Sequence, residues 1–454
     1  MDFVDKQVVV LGAGISGFAV AKLACKLGAR VILSDTKTED KIKLDLHELR
    51  ACGVTVVLGP QQDSLLAGLD YLILSPGVPM AIPLVAKAKL LGIEIMSEVE
   101  VAYRLAQVPI YAITGTNGKT TTTTLLGELL KTLQQNVGIG GNIGEPLCDE
   151  VMRVGSTGCV AAEISSYQLE GVREFKPHIA AVLNVTPDHI ARHGSVDAYQ
   201  KMKERIFQKQ TKEDYLVLNY DDARTRSMAA RASGKVLFFS RLETLKEGAF
   251  IQDDSFVILW DKQIYRICAV KDMQIKGGHN VENALAAISI AFLAGVDTLE
   301  MVAVLKKFAG VEHRIEPVRT IGKVPYYNDS KATNPESAIK ALETFDGHII
   351  LVAGGHDKNT DLTDFMKLVC EKVDQLILIG AAAARFKEAA IKNGFSAANI
   401  HEAGYSMEAA IRLAYQMAQY PQVVLLSPAC ASFDMFDGYE ERGRAFKKLI
   451  QQLK

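Results

Sequence analysis

Hydrophobic and polar positions along this chain repeat one unit: a short apolar run, a Gly-rich or polar turn, then an amphipathic stretch. Short apolar runs bounded by turn residues read as strands covered on both faces. Alternating with helical patterns, they predict βα units around parallel sheets. Gln7–Leu11 is such a strand, followed by Gly12-Ala13-Gly14-Ile15-Ser16-Gly17 and a helix to about Leu27. Val31–Ser34 ends at Asp35, and Tyr71–Ser75 runs into Pro76-Gly77-Val78-Pro79. Pro109–Thr114 leads into Gly115-Thr116-Asn117-Gly118-Lys119-Thr120, then further threonines and a Leu-rich helix. Cys159–Ala162 ends at Glu163, His178–Asn184 near Asp188-His189, and Tyr215–Asn219 at Asp221-Asp222. Segment 235–270 alternates apolar and polar residues, as short antiparallel strands do. A helix from Asn280 to about Leu293 follows. The last set is Pro325–Asn328, His348–Ala353, Leu376–Ile379 and Gln422–Leu426, each ending in a polar or Gly-rich turn.

The 454 residues exceed the roughly 250–300 that one hydrophobic core serves. The pattern divides them into three α/β domains at 1–97, 98–310 and 311–454. Ligands of open α/β sheets sit beyond the carboxyl ends of the strands, where the polar clusters fall.

Composition refines this little. The chain is 48% hydrophobic and 23% charged with a formal net charge of −2, which argues against a nucleic-acid or membrane-surface partner. Seven scattered cysteines without a CxxC pair read as reduced thiols. The first residues lack the cationic start of a signal peptide, and the apolar stretches fall short of a membrane span. The expected location is the cytoplasm.

The loop 115–120 carries the strongest chemical signal. Backbone N–H groups at a helix N-terminus, with glycines for close approach, cradle phosphates. Lys119 adds a point charge, and Thr120 offers a hydroxyl to Mg²⁺. Two residues separate Gly115 from Gly118, fewer than in the standard P-loop. Glu163 ends the strand after the loop helix, where an acid often meets the metal; alone it reads as a solvated strand end, and beside the phosphate loop the metal role is favoured. His189 and His193 stand at i and i+4, a spacing that binds metal, although one of them reads as structural. Gly12, Gly14 and Gly17 with Asp35 match a dinucleotide-binding fingerprint, which leaves an NAD-dependent oxidoreductase or a nucleotide-binding scaffold open. Lys203 looks like an ordinary exposed helix lysine. Arg314, Lys331, Lys358 and Ser427 place cations and a hydroxyl at the last domain's strand ends, suited to a carboxylate or a phosphate.

Gly115-Thr116-Asn117-Gly118-Lys119-Thr120-Thr121 resembles the ATP loop of the Mur ligases, the amide-forming synthetases of peptidoglycan precursors; folylpolyglutamate synthetases share it. Four further strings resemble the D-glutamate-adding branch. They are Glu163-Ile164-Ser165-Ser166-Tyr167-Gln168-Leu169, Asn184-Val185-Thr186-Pro187-Asp188-His189, Asn328-Asp329-Ser330-Lys331-Ala332-Thr333-Asn334 and Ser427-Pro428-Ala429-Cys430-Ala431-Ser432-Phe433-Asp434. The resemblance implies a Rossmann-like N-terminal domain, a central P-loop ATPase-like domain and a Rossmann-like C-terminal domain. It implies a monomer that joins D-glutamate to UDP-N-acetylmuramoyl-L-alanine through an acyl phosphate, using ATP and two Mg²⁺ ions. Ile15, Ser16, Asp35, Thr36 and Ser75 would then lie near the UDP part, with Asn142 and His189 facing substrate and metal. Residues 115–121, Asn280, Asn283, Arg314 and Asp329 would serve ATP. Thr120, Glu163, His189 and Lys203 would serve the metal, with Lys203 carrying a carbamate. Lys331, Thr333, Lys358, Ser427 and Phe433 would receive D-glutamate. Many relatives have Phe where this chain has Tyr167; the resemblance attaches little consequence to that.

Overall fold

The computed structural model describes every residue except Lys43, Lys358 and Lys454. The chain forms two compact units, Met1–Met273 with Val281–Lys307, and Gln274–Asn280 with Phe308–Lys454.

The first unit holds two sheets. Strands β1 (Gln7–Leu11), β2 (Arg30–Asp35), β3 (Thr55–Leu58), β4 (Tyr71–Leu74) and β5 (Glu94–Ser97) are all parallel, in the order β3-β2-β1-β4-β5. Successive residues of β1 face opposite ways: Val8 and Val10 join one apolar cluster, Val9 and Leu11 the other. Two covered faces explain why its sequence is a continuous apolar run.

The central sheet is built from β6 (Ile110–Thr114), β7 (Val137–Gly141), β8 (Cys159–Glu163), β9 (Ile179–Val182), β10 (Tyr215–Asn219), β11 (Lys235–Ser240), β12 (Gly248–Gln252), β13 (Ser255–Trp260) and β14 (Gln263–Ala269), in the order β14-β13-β12-β11-β10-β9-β6-β8-β7. Segment 235–270 is antiparallel only in its later part. β11 runs parallel to β10 and β12, and the reversals come at β12–β13–β14. The alternation reports one open sheet face there, and strand direction leaves no mark in it.

The second unit carries β15 (Glu316–Ile321), β16 (Val324–Asn328), β17 (Ile349–Gly354), β18 (Val373–Ile379), β19 (Ile400–Glu402) and β20 (Val423–Leu426), in the order β15-β16-β20-β17-β18-β19, parallel except for β15–β16. Ile349, Leu351 and Ala353 pack on one face, Ile350 and Val352 on the other. Among the described residues no helix is long and apolar enough to cross a membrane.

Candidate functional site

At the end of β1 the chain turns through Gly12, at φ +97°, into the helix Ile15–Lys26. Asp35, at the end of β2, accepts the Ala13 N–H at 2.7 Å and the Lys37 N–H at 2.9 Å. Ser75 Oγ donates to the Gly12 carbonyl at 3.1 Å. A cavity of about 710 Å³ opens over this turn; Ile15, Ser16, Asp35, Thr36 and Ser75 all line it. Asp35 thus braces the loop with its carboxylate while facing the cavity.

In the central sheet, β6 delivers the chain to Gly115, and Gly118, at φ +86°, caps the helix Lys119–Lys131. A Cβ on Gly118 would come within 2.2 Å of Asn283 Oδ1, so the loop packs directly on the helix Gly278–Leu293. Asn184 pins the loop from the other side. Its Oδ1 accepts the N–H groups of Thr116 and Asn117 at 3.0 and 2.8 Å, and its Nδ2 donates to the Asn117 carbonyl at 3.1 Å. Lys119 Nζ donates to the carbonyls of Gly115 and Thr116 at 2.9 and 2.8 Å. Asn280 donates to the Lys276 carbonyl at 2.7 Å.

Lys203 is not the exposed lysine its sequence context suggests. It is 1% exposed, its Nζ donates to the Gly115 carbonyl at 2.7 Å and lies 4.2 Å from the Tyr199 ring centroid. Burial, and then the charge of Lys119, push its amine well below the ordinary lysine range, while Asp188 and Glu163 act the other way. Glu163 is buried at the end of β8. Asn142 Nδ2 donates to its Oε1 at 2.8 Å, and Oε2 has no hydrogen-bond partner. An orphaned carboxylate oxygen costs free energy unless something positive meets it. Glu163 and Thr120, both buried, carry oxygen atoms of the kind Mg²⁺ takes.

The two histidines separate. His193 has a 3% exposed side chain, with Nε2 3.1 Å from Ser166 Oγ, and burial lowers its pKa. His189 sits in the left-handed region at φ +53°, capping the short helix Ile190–His193, with its side chain 43% exposed. Its ring lies between Tyr167 Oη, 3.0 Å from Nδ1, and Asp188 Oδ2, 3.4 Å from Nε2. His193 is the structural histidine of the pair.

In the second unit Arg314 lies between two residues at positive φ, His313 at +66° and Ile315 at +44°. Asp329 is buried, accepts the Ile315 N–H at 3.2 Å and the Ser427 hydroxyl at 2.7 Å, and ties those two loops together. Lys331 Nζ is 3.2 Å from Tyr439 Oη, Thr333 N–H donates to the Lys331 carbonyl, and Phe433 is 70% exposed. Lys358 lies outside the described residues. Arg442, which the sequence reading did not single out, is 1% exposed. It donates to Ser330 Oγ and to the carbonyls of Ser330, Cys430 and Ala431 at 2.7–3.1 Å. It clamps the two loops that carry Lys331 and Ser427. A helix arginine far from any motif gives no signal for this. Asn184, Asp188 and Tyr199 were equally missed, although the first two stand inside a quoted string.

Burial is the main reason the Asp329 carboxyl is pushed up to about 7. The folded-state value exceeds the unfolded one of about 4, so the folded chain holds more protons between them. Stability therefore falls as pH rises from about 4 to about 7, by on the order of a few kcal/mol, and levels off above that. Urea unfolding across this range should show Asp329→Asn losing part of the wild-type slope. A slope unchanged in the variant rules the carboxyl out as its source.

Profiles of three domain families match the chain: the Mur ligase MurD-like N-terminal domain at residues 6–97, the Mur ligase middle domain at 113–291, and the Mur ligase glutamate ligase domain at 313–430. The UDP-N-acetylmuramoylalanine–D-glutamate ligase of Caldanaerobacter subterraneus subsp. tengcongensis is 45% identical over 454 residues, all of both chains. That of Clostridioides difficile is 39% identical over 456 aligned positions, again all of both chains. Among solved structures, a pseudomurein peptide ligase type C from Methanothermus fervidus (TM-score 0.61, 20% identity) covers 99% of this chain and 100% of its own. The UDP-N-acetylmuramate-alanine ligase of Thermotoga maritima (TM-score 0.59, 20% identity) does the same. At that identity the structures speak for the fold; the full-length relatives speak for descent. On these matches the chain belongs to the Mur ligase family, in the group of the UDP-N-acetylmuramoylalanine–D-glutamate ligases.

Proposed function

We propose that the chain is an ATP-dependent, ADP-forming ligase that adds D-glutamate to UDP-N-acetylmuramoyl-L-alanine in cytoplasmic peptidoglycan precursor synthesis, with domains at 1–97, 98–310 and 311–454. The observation that carries the reading is the pairing of a phosphate-type loop with two buried groups, the orphaned Glu163 Oε2 and the desolvated Lys203 amine on the Gly115 carbonyl. Neither group is explained by packing; the carboxylate suits a cation bound beside the loop, and the amine would do so once converted to a carbamate.

In this reading the cavity over Gly12 takes the UDP moiety through Ile15, Ser16, Asp35, Thr36 and Ser75. The loop 115–121 grips the ATP phosphates, with Lys119 supplying charge and Asn280 and Asn283 serving the adenine end; Arg314 and Asp329 also serve ATP. Asn142 and His189 face the acceptor. Lys331, Thr333, Lys358, Ser427 and Phe433 receive D-glutamate. The alanyl carboxylate attacks the γ-phosphate to give an acyl phosphate and ADP; the D-glutamate amine then displaces phosphate and loses a proton. The chain's contribution is positioning and charge neutralisation. Thr120, Glu163, His189 and Lys203 would hold Mg²⁺, which would supply neutralising charge beside the phosphates. The neutral Lys203 amine can add CO₂ and lose a proton, becoming a carbamate whose oxygens suit that ion.

ADP release with UDP-N-acetylmuramoyl-L-alanine and a series of amines tests this. Release that requires D-glutamate is expected; equal release with L-glutamate, or none, overturns it. The UDP pocket is tested by Gly17→Ala. Its methyl would sit 1.9 Å from the Gly12 carbonyl oxygen and 2.7 Å from Ser75 Oγ, forcing the turn open. Overpacking of this kind costs about 1–3 kcal/mol. The KM for the UDP substrate should rise at least about tenfold, the equivalent of 1.4 kcal/mol, with the KM for ATP little changed. An unchanged KM for the UDP substrate excludes this cavity as its site.

A further inference from the structure

Pro76, Gly77, Val78 and Pro79 form the turn after β4 and one wall of the cavity over Gly12. Val78 packs directly on the Gly12 turn, where an added Cβ would lie 3.0 Å from its Cγ2. The Val78 N–H donates to the Ser75 carbonyl at 2.9 Å. Its carbonyl is met from beyond the sheet that carries the cavity: Arg192 Nη2, 114 residues on, donates to it at 3.0 Å. Arg192 stands in the short helix Ile190–His193, after β9 of the central sheet.

The Arg192 side chain is itself fixed. Nε and Nη2 donate to the two oxygens of Glu170 at 2.9 and 2.7 Å, and the guanidinium lies 5.1 Å from the Tyr167 ring centroid. Glu170 directly follows the helix Ser166–Leu169, whose N-terminus is held by a capping box between Ser165 and Gln168. The Arg192 and Glu170 side chains are 19% and 10% exposed, unlike the solvent-screened surface bridges that contribute little. A guanidinium is a planar fork whose donors point in set directions. With Nε–H and one Nη2–H on Glu170, the other Nη2–H points away from the carboxylate, and the Val78 carbonyl meets it. Pairing Glu170 accounts for the fork. The bond to the cavity wall is one that a structural ion pair does not require.

We infer that Arg192 is a positioning residue for the UDP end of the substrate: its bond to the Val78 carbonyl holds the turn 76–79 in the shape that walls the cavity over Gly12. The inference rests on the proposed use of that cavity for UDP. The helix that carries Arg192 is capped by His189. One short helix would therefore serve both the UDP end and the acceptor end of a single substrate.

Titration calorimetry with UDP on the full-length protein tests this, with ADP and Mg²⁺ titrated separately as the control. Arg192→Met removes the bond to the wall and should raise the Kd for UDP about 3- to 10-fold, the worth of one hydrogen bond. Arg192→Lys keeps a cation for Glu170 without the fork. It should hold the wild-type melting temperature and still lose UDP affinity. The Kd for ADP should stay put in both. Wild-type affinity for UDP in either folded variant overturns the inference. So does an equal loss for UDP and ADP, which marks a general loosening of the fold. A wild type that does not bind UDP would instead overturn the reading of the cavity, so the two failures are distinguishable.

Discussion

Lys203→Met is expected to abolish ligation while leaving the fold at least as stable. The wild-type amine is 1% exposed and is held only by the Gly115 carbonyl and the face of Tyr199 among the contacts described. Removing an amine from such a place ends its desolvation cost. The Gly115 carbonyl keeps a donor, because Lys119 Nζ also reaches it at 2.9 Å. Methionine fills the same channel with an unbranched apolar chain. A lysine kept for packing would therefore be replaceable. A lysine that must carry a carbamate for Mg²⁺ is not, and losing about 4 kcal/mol of transition-state charge stabilisation means roughly a 10³-fold fall in kcat. Thermal unfolding with ADP release decides between them. Carbon-13 NMR after equilibration with ¹³C-bicarbonate should show a carbamate carbon in the wild type and none in the variant. Full activity in Lys203→Met would remove this residue from the metal site.

Lys119→Ala is expected to cost as much by another route. Its ammonium closes the loop onto the carbonyls of Gly115 and Thr116 and contributes the positive charge at the helix N-terminus. Those hydrogen bonds are worth about 1 kcal/mol each to the loop, a modest loss beside Asn184's three bonds to the same segment. The larger effect is the missing charge where the γ-phosphate leaves, for which roughly 10³-fold or more in kcat is usual. Lys119→Arg should not rescue, because a planar guanidinium does not fit where a compact ammonium meets two carbonyls. Stability near that of the wild type with ADP release down about 10³-fold is the expected pair of results. Full ADP release in Lys119→Ala would sink the assignment of the loop.

Parallel strands covered on both faces, such as Gln7–Leu11 and Ile349–Gly354, were legible because nearly all their residues are apolar. Gln7–Leu11 and Tyr215–Asn219 have the bounds the pattern implies. The strands the pattern missed are short or weakly apolar. Val137–Gly141 contains three glycines, which suppress any strand signal, and Gly140 and Gly141 leave no room for a Cβ against Glu145 and Glu163. Ile400–Glu402 has only three residues, two of them polar.

The candidate site divides in the same way. The loop 115–120 announced itself because its glycines and lysine are contiguous. Lys203 did not, because most lysines are exposed and its burial depends on a loop some 88 residues earlier. The resemblance to the Mur ligases, not periodicity, pointed to it. It also left Arg192 aside, since a guanidinium on a short helix has no meaning until its carbonyl partner, 114 residues earlier, is known. Arg442 shows the limit most plainly. Four bonds to two loops make it a clamp, and nothing in its own neighbourhood in the sequence says so.

In the proposed function ATP activates the acceptor's carboxylate as an acyl phosphate. Labelling both oxygens of the alanyl carboxylate of UDP-N-acetylmuramoyl-L-alanine with ¹⁸O tests it directly. Attack on the γ-phosphorus and displacement by D-glutamate must carry one labelled oxygen into each phosphate released, and leave the other in the amide. Phosphate that emerges unlabelled while the amide forms would exclude an acyl phosphate.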